Sequence, residues 1–356
     1  MRVTSWDGGA FRASIQAALD EFLDEMTDRL APLGPDASRL LDEARGVVSG
    51  GKRFRAAFCY WGYRAVRPEV ADEHALVRAC AALELLHASA LVHDDYMDAS
   101  DTRRGRPATH RSFTAGHRQD GWRGDPEQYG AAAAILLGDL LLSWADELLR
   151  RCGLPVTEVS AAMDVFDRCR SEVITGQFLD VSVQARGAAD VDTAMTVLRF
   201  KSAKYSIERP LHIGAALAGA TPDVLRELTA YGLPLGEAFQ LRDDLLGVYG
   251  DPAATGKPAG DDLVEGKRTV LVALALDSAP AEDARRLDAA LGSPLSADEV
   301  AGLRAIIDAS GAHTHVEQVI DELVELSLTK LDASSFAEPA RQVLRELASA
   351  ATDRTV

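Results

Sequence analysis

Two clusters of acidic residues, about 150 positions apart, each stand near the end of an apolar helical stretch. The first contains Asp94, Asp95 and Asp98, and the second contains Asp243 and Asp244. Asp94 and Asp98 are four residues apart, so a helix places both on one face. Adjacent carboxylates are costly to bury unless a cation lies between them. Because Mg²⁺ prefers a few carboxylates together with water and phosphate oxygens, the clusters predict a site for magnesium and a diphosphate.

Basic residues follow each acidic cluster and supply the positive charge that a diphosphate needs. Arg103 and Arg104 come after the first cluster, and Lys257, Lys267 and Arg268 come after the second. Lys257 and Lys267 each follow a glycine, which lets an ammonium group approach a phosphate without side-chain crowding. Taken alone, these two lysines are also compatible with ordinary charges in a solvated loop.

The segment 50–55, Gly-Gly-Lys-Arg-Phe-Arg, is a third basic motif. Its glycine pair is expected to open a helix on which Lys52 and Arg55 share a face. Because a helix N-terminus favours anions, the motif predicts an anion pocket that needs no metal. The residues alone equally allow an exposed basic turn.

Polar residues just before the two acidic clusters extend the predicted site. His87 lies two turns before Asp94, and Gln240 lies about one turn before the second cluster. Gly247 stands where a third carboxylate would match the first cluster. His93 and its acidic neighbour resemble the metal pair of a phosphohydrolase, but the surrounding carboxylates suit Mg²⁺ better. We therefore expect His93 to be a helix residue that packs within the fold.

Composition favours an all-α protein and excludes several classes of function. Of 356 residues, 47% are hydrophobic and 6% are aromatic, and strand-like alternation is rare. A net charge of −17 argues against a nucleic-acid surface or an anionic membrane face. The most apolar stretch, 131–145, is interrupted by Gly138 and Asp139 and is too short to cross a bilayer. We therefore expect neither nucleic-acid binding nor stable membrane insertion.

The four cysteines, Cys59, Cys80, Cys152 and Cys169, are scattered and lack the paired spacing of metal or redox motifs. They are expected to be reduced core residues of a cytoplasmic protein. The N-terminal residues contain no apolar signal segment.

Helical periodicity recurs along the chain and predicts one all-α domain over residues 1–356, a bundle with its site inside. Residues 1–10 and 350–356 are expected to be loose termini. Asp72, Thr157 and Asp190 are predicted helix caps, and 103–130 is a predicted polar loop. After an amphipathic N-terminal helix, helices are predicted at about 72–98, 131–151, 157–183, 190–206, 208–219, 223–231, 234–249 and 268–276, with two or three more from 281 onward.

Together these motifs resemble those of the trans-isoprenyl diphosphate synthases, the polyprenyl synthetase family. The resemblance runs from about Gly50 to Thr269 in the expected order. It includes GGKRFR, LVHDDYMDASDTRRGRPATH, GQFLD at 176–180, the Lys201-Ser202 pair and FQLRDDLLGVYGDPAATGKPAGDDLVEGKRT. The resemblance implies an all-α isoprenoid synthase fold with a central cavity. It also implies head-to-tail condensation of isopentenyl diphosphate with dimethylallyl, geranyl or farnesyl diphosphate.

The resemblance implies a role for each matching residue. Two or three Mg²⁺ ions on the allylic diphosphate would be bound by Asp94, Asp98 and Asp243 and supported by Asp95 and Asp244. The remaining oxygens of that diphosphate would be held by Arg103, Lys201, Lys257 and Lys267. Isopentenyl diphosphate would be held by Lys52, Arg55, His87 and Arg104. The reacting region would be lined by Gln177, Asp180 and Gln240, with Ser202 where the family often has threonine.

Product length depends on the floor of the implied cavity. Ser89, five residues before Asp94, is small where several farnesyl- and geranylgeranyl-forming members carry an aromatic residue. The limit would then be set by Leu86, Leu83 or a neighbouring helix near Val173. We therefore expect geranylgeranyl diphosphate, with farnesyl diphosphate or longer-chain products as alternatives.

Two further alternatives stay open at this point. A partner-dependent subunit of a heteromeric synthase would lose carboxylates or basic residues, and only Gly247 hints at such a loss. A class I terpene cyclase shares the fold but would not need Lys52, Arg55 and His87 for a second diphosphate. The family resemblance also implies a homodimer.

Overall fold

The protein is described by a computed structural model that covers residues 6–188, 190–250 and 260–353. Lys257, a predicted diphosphate ligand, lies outside the described residues. Contacts divide the chain into two compact units, the first formed by Met1–Met163 with Ile213–Gly219 and the second by Asp164–His212 with Ala220–Val356. The single domain therefore stays a prediction.

The described residues are almost entirely helical, which confirms the predicted fold class. The first half contains α1 (Gly8–Leu30), a 3₁₀ turn (Ala31–Leu33), α2 (Pro35–Val48), α3 (Phe54–Val66), α4 (Glu73–Met97), α5 (Thr109–Gln119), α6 (Pro126–Arg150) and α7 (Val156–Arg186). An antiparallel ribbon of β1 (Thr102–Arg103) and β2 (Arg106–Pro107) joins α4 to α5.

The second half continues with helices of very different length. These are α8 (Val191–Val197), a π-helical segment (Leu198–Glu208), α9 (Arg209–Leu217), α10 (Pro222–Tyr249), α11 (Asp261–Val264), α12 (Val270–Ser278), α13 (Ala281–Ala290), α14 (Ala297–Ala309), α15 (Ala312–Asp332) and α16 (Glu338–Thr352). Four helices thus follow position 281 in the described residues, where two or three were predicted.

Helix α4 forms the centre of the first unit and packs against α1, α3 and α6. Among the described helices, α4 alone is long and apolar enough to cross a membrane. However, 83% of its most apolar 18-residue segment is buried inside the protein. A core helix is expected to look this way. The ring of His93 lies over Gly138 of α6, where a Cβ would be 2.0 Å from Nε2. The prediction that His93 packs within the fold is confirmed.

In the second unit, α10 packs against α15 and against the π-helical segment. Its buried face includes Leu241, Leu245 and Val248, which join an apolar cluster with Leu271 of α12. This packing gives the second acidic cluster a rigid support, since that cluster lies in the last two turns of α10.

Helix caps explain where several helices begin. Asp72 accepts a hydrogen bond from the Ala75 amide, and Asp190 accepts one from the Thr193 amide, so both predicted caps are confirmed. Thr157 is not a cap, because α7 already begins at Val156. Asp7 caps α1, so the helix starts at Gly8 inside the predicted loose terminus, and α16 likewise extends to Thr352 at the other end.

The predicted loop over 103–130 is wrong, since it contains α5 and the start of α6. Asp125 caps α6, and Pro126 occupies its first turn, where a missing N–H is harmless. Gly130 is not a helix breaker here. A Cβ at this position would lie 2.3 Å from the carbonyl oxygen of His110, so the glycine lets α5 and α6 approach closely.

The predicted break between 231 and 234 is also wrong, because α10 continues through Pro234. Proline removes one backbone hydrogen bond, but Leu235 and Ala238 in the following turn are fully buried and hold the helix in place. Gly236 lets the backbone of the π-helical segment approach, since a Cβ there would be 2.5 Å from the Ala203 carbonyl oxygen. The π-helical segment replaces the second half of the ordinary helix predicted at 190–206, whose first half is α8.

Candidate active site

The first acidic cluster lies at the C-terminal end of α4. Asp95 is only 4% exposed and accepts a 2.8 Å hydrogen bond from Arg103 Nε, and Nη2 contacts the same oxygen. The same guanidinium lies 3.9 Å from Asp94 Oδ2. Asp98 follows α4 directly, and its amide donates to the Asp94 carbonyl at 2.8 Å. Asp95 is therefore turned inward and held by Arg103, whereas Asp94 and Asp98 lie one helical turn apart.

The ribbon after α4 turns at Arg104 and Gly105, which both have positive φ angles, 52° and 72°. Two such residues make the tight turn that suits the twist of a β-hairpin. Arg104 then donates to the Ser49 carbonyl at 3.2 Å, and its guanidinium lies over Gly51. The turn thus brings the predicted Arg104 to the glycine-rich basic motif.

The basic motif at 50–55 differs from its prediction in one respect. Helix α3 begins only at Phe54, and Arg53 before it has a left-handed backbone with φ of 56°. Lys52 therefore precedes the helix and does not share a helical face with Arg55. The Arg53 side chain is buried and pairs with Glu84 of α4.

His87 lies within the same group of positive charges. Desolvation of the ring, followed by the charges of Arg55 and Arg104, lowers the pKa of His87 well below its usual range. The imidazole is therefore neutral at pH 7 and offers one N–H donor. The structure thus brings together Arg55, His87 and Arg104, with Lys52 in the adjoining loop, as a pocket suited to an anion.

In the second unit, two predicted residues prove to be partners. Lys201 Nζ donates to Asp180 Oδ2 at 2.6 Å, which joins the π-helical segment to α7. Gly176 makes this contact possible, since a Cβ there would lie 2.5 Å from the Lys201 amide nitrogen. A π-helical stretch often marks a functional position. The only signal of this close approach in the sequence was the glycine that begins the GQFLD motif.

The second acidic cluster is built on the last turns of α10. Gln240 Nε2 donates to Asp244 Oδ1 at 2.8 Å, as their spacing predicts. Burial, and then the nearby carboxylate of Asp262, raises the pKa of Asp244 well above its usual range. Lys267 lies 3.0 Å from Asp262 and 2.5 Å from Glu265. Lys267, which was predicted to bind the diphosphate, is therefore paired with carboxylates of the protein in this structure.

Asp262 is a residue of this site that sequence reasoning missed. A Cβ built on Gly247 would lie 1.9 Å from Asp262 Oδ2 and 2.4 Å from its Cγ. The carboxylate of Asp262 thus occupies the space where a side chain at 247 would begin. The available signal was the acidic pair at 261–262 in the motif that precedes Lys267.

A buried polar network secures the end of the π-helical segment. Arg209 donates twice to Glu172 at 2.7 Å, and its Nη1 lies 3.1 Å from His212 Nδ1. His212 Nε2 lies 3.0 Å from Thr229 Oγ1, and that hydroxyl donates to Glu208 at 2.9 Å. Burial, and then the charge of Arg209, lowers the pKa of His212 to about 4. The chain of donors therefore holds a neutral imidazole.

The carboxylates suit a Mg²⁺ ion that is also bound by water and substrate, and do not suit a metal ion held by protein ligands alone. Within the described residues, no group of three or more histidine, cysteine, aspartate or glutamate side chains is arranged to hold a metal ion alone. Asp94 and Asp98 offer hard oxygen ligands on successive turns, and Mg²⁺ completes its octahedron with water and substrate phosphate. The donor set therefore fits Mg²⁺ that arrives together with a diphosphate.

The residues expected to set product length lie in the core. Ser89 is 3% exposed and Leu86 and Leu83 are each 2% exposed, all on α4, and Val173 on α7 is also buried. Ser89 and Leu86 are three residues apart on the helix that ends in the first acidic cluster. Their part in product length stays a prediction.

Comparison with known proteins identifies the family. The profile of the polyprenyl synthetase family matches residues 38–309. A (2E,6E)-farnesyl diphosphate synthase of Mycobacterium tuberculosis is 33% identical over 90% of this chain and 89% of its own. A geranylgeranyl diphosphate synthase of the same organism is 32% identical over 82% of this chain and 77% of its own.

A solved structure is similar over nearly the whole chain. It is a geranylgeranyl pyrophosphate synthase from Corynebacterium glutamicum, complexed with isoprenyl diphosphate and magnesium. That chain is 41% identical, with a TM-score of 0.95, and the match covers 98% of this chain and 100% of the other.

Proposed function

The chain belongs to the polyprenyl synthetase family and is a trans-prenyl diphosphate synthase, and we propose that its product is geranylgeranyl diphosphate. It would condense isopentenyl diphosphate with dimethylallyl, geranyl or farnesyl diphosphate. We propose two or three Mg²⁺ ions, bound with the allylic diphosphate. A cytoplasmic location is also proposed, and the four free cysteine thiols support it.

One observation carries the proposal: the end of α4 adjoins two different kinds of anion site. Asp94 and Asp98 offer carboxylates for a diphosphate that brings metal, while Arg55, His87 and Arg104 offer donors without carboxylate ligands. A condensing synthase binds two diphosphates, one together with metal ions and one without them. A terpene cyclase binds one diphosphate and would leave the second set without a purpose.

Asp94, Asp98 and Asp243 are the proposed magnesium ligands, with Asp95 and Asp244 in support. Bound Mg²⁺ would neutralise the charge that builds on the leaving diphosphate. Arg103 and Lys201 would bind the oxygens that the metal leaves free, and such preorganised donors stabilise the developing charge. The same role is proposed for Lys257 and Lys267, and Gln177, Asp180, Ser202 and Gln240 are the proposed lining of the reacting region.

Isopentenyl diphosphate would bind to the neutral donor of His87 and to the cations Lys52, Arg55 and Arg104. These side chains orient the isopentenyl double bond for attack on the allylic carbon. The proton released after attack would pass to the departing diphosphate. Exclusion of water is essential, because water would capture the allylic cation.

The proposed product follows from the small side chain of Ser89 on α4, with Leu86 and Leu83 as the next residues along the helix. A serine leaves room for a longer chain than an aromatic residue would. The farnesyl diphosphate synthase relative supports the shorter product as the second candidate.

A direct assay tests the function. The purified protein is incubated with Mg²⁺, isopentenyl diphosphate and, separately, each allylic primer, and the dephosphorylated products are sized. A C20 product supports the proposal, and a farnesyl product supports the second candidate. No elongation from any primer would favour a partner-dependent subunit, and a hydrocarbon would favour a cyclase.

Asp94→Ala tests the magnesium assignment. We expect kcat to fall by about a hundredfold or more, the usual scale for losing electrostatic stabilisation of a leaving group. Asp101→Ala is the matched control, since the Asp101 side chain is 71% exposed and pairs with Arg111. Full Mg²⁺-dependent activity in Asp94→Ala would show that the metal assignment is wrong.

A homodimer is also proposed. Ile135 and Leu136 on α6 are 45% and 61% exposed, although α6 is otherwise packed on α4 and α5. Contact with another copy of the chain would cover these two adjacent aliphatic side chains.

A further inference from the structure

The basic motif contains one charged residue, Arg53, to which the family resemblance gives no role. Arg53 is 6% exposed, and Glu84, its partner on α4, is 5% exposed. Buried charges of this kind are retained only when they are paired and hydrogen-bonded. Arg53 and Glu84 meet this requirement, since they pair with each other and also bond to other polar groups.

Arg53 connects three separate elements through one guanidinium. Nη1 donates to Glu84 Oε2 at 2.9 Å, and Nη2 donates to Gln16 Oε1 at 2.7 Å and to the Val48 carbonyl at 2.5 Å. Gln16 belongs to α1, and Val48 ends α2. The other oxygen of Glu84 accepts the Ala56 amide at 3.3 Å, in the first turn of α3. The pair therefore fixes the junction between α2 and α3 against α4.

The junction also has an unusual backbone. Arg53 has φ of 56°, and Gly50 and Gly51, which precede it by three and two residues, have φ of 69° and 92°. A left-handed conformation is unfavourable for a residue with a Cβ and persists only where surrounding contacts impose it. The contacts that impose it here are those of the buried guanidinium. Lys52 and Arg55, on either side of Arg53, therefore take their directions from this pair.

Glu84 also stands next to the proposed isopentenyl diphosphate pocket. It lies three residues before His87 on α4, so the two side chains emerge close together on the helix. Its charge favours the protonated form of Arg104, whose pKa is lowered by burial and by Arg53. Glu84 is thus the carboxylate that offsets part of the positive charge gathered there.

We propose that Arg53 and Glu84 are positioning residues for isopentenyl diphosphate: their buried ion pair sets the left-handed turn that aims Lys52 and Arg55 beside His87. The inference rests on the proposed function. It assigns the pair to the metal-free pocket alone, so the allylic diphosphate is not affected by its loss.

The test measures the two Michaelis constants separately in Glu84→Gln, which keeps the size of the side chain and removes its charge. We expect the KM for isopentenyl diphosphate to rise about tenfold or more, the scale of one misplaced charged hydrogen bond. The KM for the allylic diphosphate should stay within about twofold of the wild type, since the hydrogen bonds of the pair run to Gln16, Val48 and Ala56.

Glu158→Gln is the matched control. Glu158 forms a 2.9 Å ion pair with Arg67 just after the opposite end of α3, away from the proposed pocket. It should lower the unfolding temperature at most and leave both KM values unchanged. If Glu84→Gln behaved in the same way, with reduced stability and both KM values unchanged, the pair would be purely structural and the proposal would be overturned.

A second variant covers the case in which an unpaired Arg53 prevents folding. Arg53→Gly combined with Glu84→Gln removes both charges and keeps a residue that accepts positive φ. The same selective rise in the KM for isopentenyl diphosphate is expected, because the turn has lost its clamp. Unchanged KM values in this folded variant would also overturn the proposal.

Calorimetry with inorganic diphosphate in metal-free buffer separates this proposal from the proposed function. Wild type should bind the anion, and Glu84→Gln should bind it about tenfold more weakly. If the wild type elongates no primer but this difference remains, the function is wrong and the positioning role stands. Equal binding by both proteins would refute the positioning role whatever the activity.

Discussion

Gly247→Ala is the substitution with the most specific expected result. Alanine normally stabilises a helix relative to glycine by roughly 0.5–1 kcal/mol. Here its Cβ would lie 1.9 Å from Asp262 Oδ2, so the Asp262 side chain must turn away from its 3.0 Å contact with Lys267. Overpacking of this kind costs about 1–3 kcal/mol.

Gly116→Ala is the matched control, because Gly116 is also helical and a Cβ there meets nothing within 4 Å. Both variants gain the same helix propensity, so they should differ in unfolding free energy by the overpacking cost, about 1–3 kcal/mol. Urea unfolding followed by circular dichroism measures this difference. If Gly247→Ala were as stable as Gly116→Ala, Asp262 would not be confined beside Gly247 and the reasoning would fail.

The same pair of variants reports on the second acidic cluster. Gly247→Ala displaces the carboxylate of Asp262 from the cluster, so we expect weaker Mg²⁺ binding in the presence of inorganic diphosphate. Isothermal titration calorimetry measures the affinity, and Gly116→Ala should match the wild type. Gly247→Asp should weaken binding as well, whereas Gly247→Asp with Asp262→Gly should restore it by returning one carboxylate to the same space. Restored stability without restored affinity would mean that Asp262 matters only for packing.

Three further predictions concern product length, assembly and pH. Ser89→Phe should shorten the main product to farnesyl diphosphate, because an aromatic ring on α4 would fill the space proposed for the chain; sizing of the products checks this, and an unchanged product would show that Ser89 does not face the chain. Leu136→Lys should convert the proposed dimer to a monomer in light scattering, whereas Val156→Lys, at a position 84% exposed, should not; a monomeric wild type would contradict the dimer. The pKa of His212 is lowered to about 4, so folding favours the neutral form of its imidazole. The stability gained in this way is fully present above pH 6.5 and is lost as the pH falls from 6.5 towards 4. The lost stability is roughly 3 kcal/mol, and His212→Gln should flatten this part of the pH dependence in denaturant unfolding; parallel curves for the two proteins would refute the assignment.

The acidic clusters and the basic motifs could be predicted because their information is local. A spacing of four residues places Asp94 and Asp98 on successive turns whatever the rest of the fold does. The caps at Asp72 and Asp190 are equally local, since a side chain reaches an amide three residues ahead. The all-α class followed from periodicity in the same way.

The role of each glycine could not be predicted, because it depends on what lies opposite. Gly130 was expected in a loop, yet it is helical and lies against the His110 carbonyl. Gly247 was taken as a missing carboxylate, and Asp262 now accounts for the space beside it. A glycine in the sequence can indicate a loop, a close approach of two helices, or a space that is filled by the side chain of another residue. Only its neighbours in the folded structure decide among these three cases.

The partners of the predicted ligands were also hidden from the sequence, and they change how substrate binding should be understood. Arg103 is bonded to Asp95, and Lys201 is bonded to Asp180, so the cations proposed to bind a diphosphate are already held by carboxylates. A long cationic side chain loses rotamer freedom when it binds a ligand, and that loss weakens binding. Here the loss occurs during folding, because the carboxylates fix the cations beforehand. The carboxylates therefore serve the binding of an anion that they would repel in isolation.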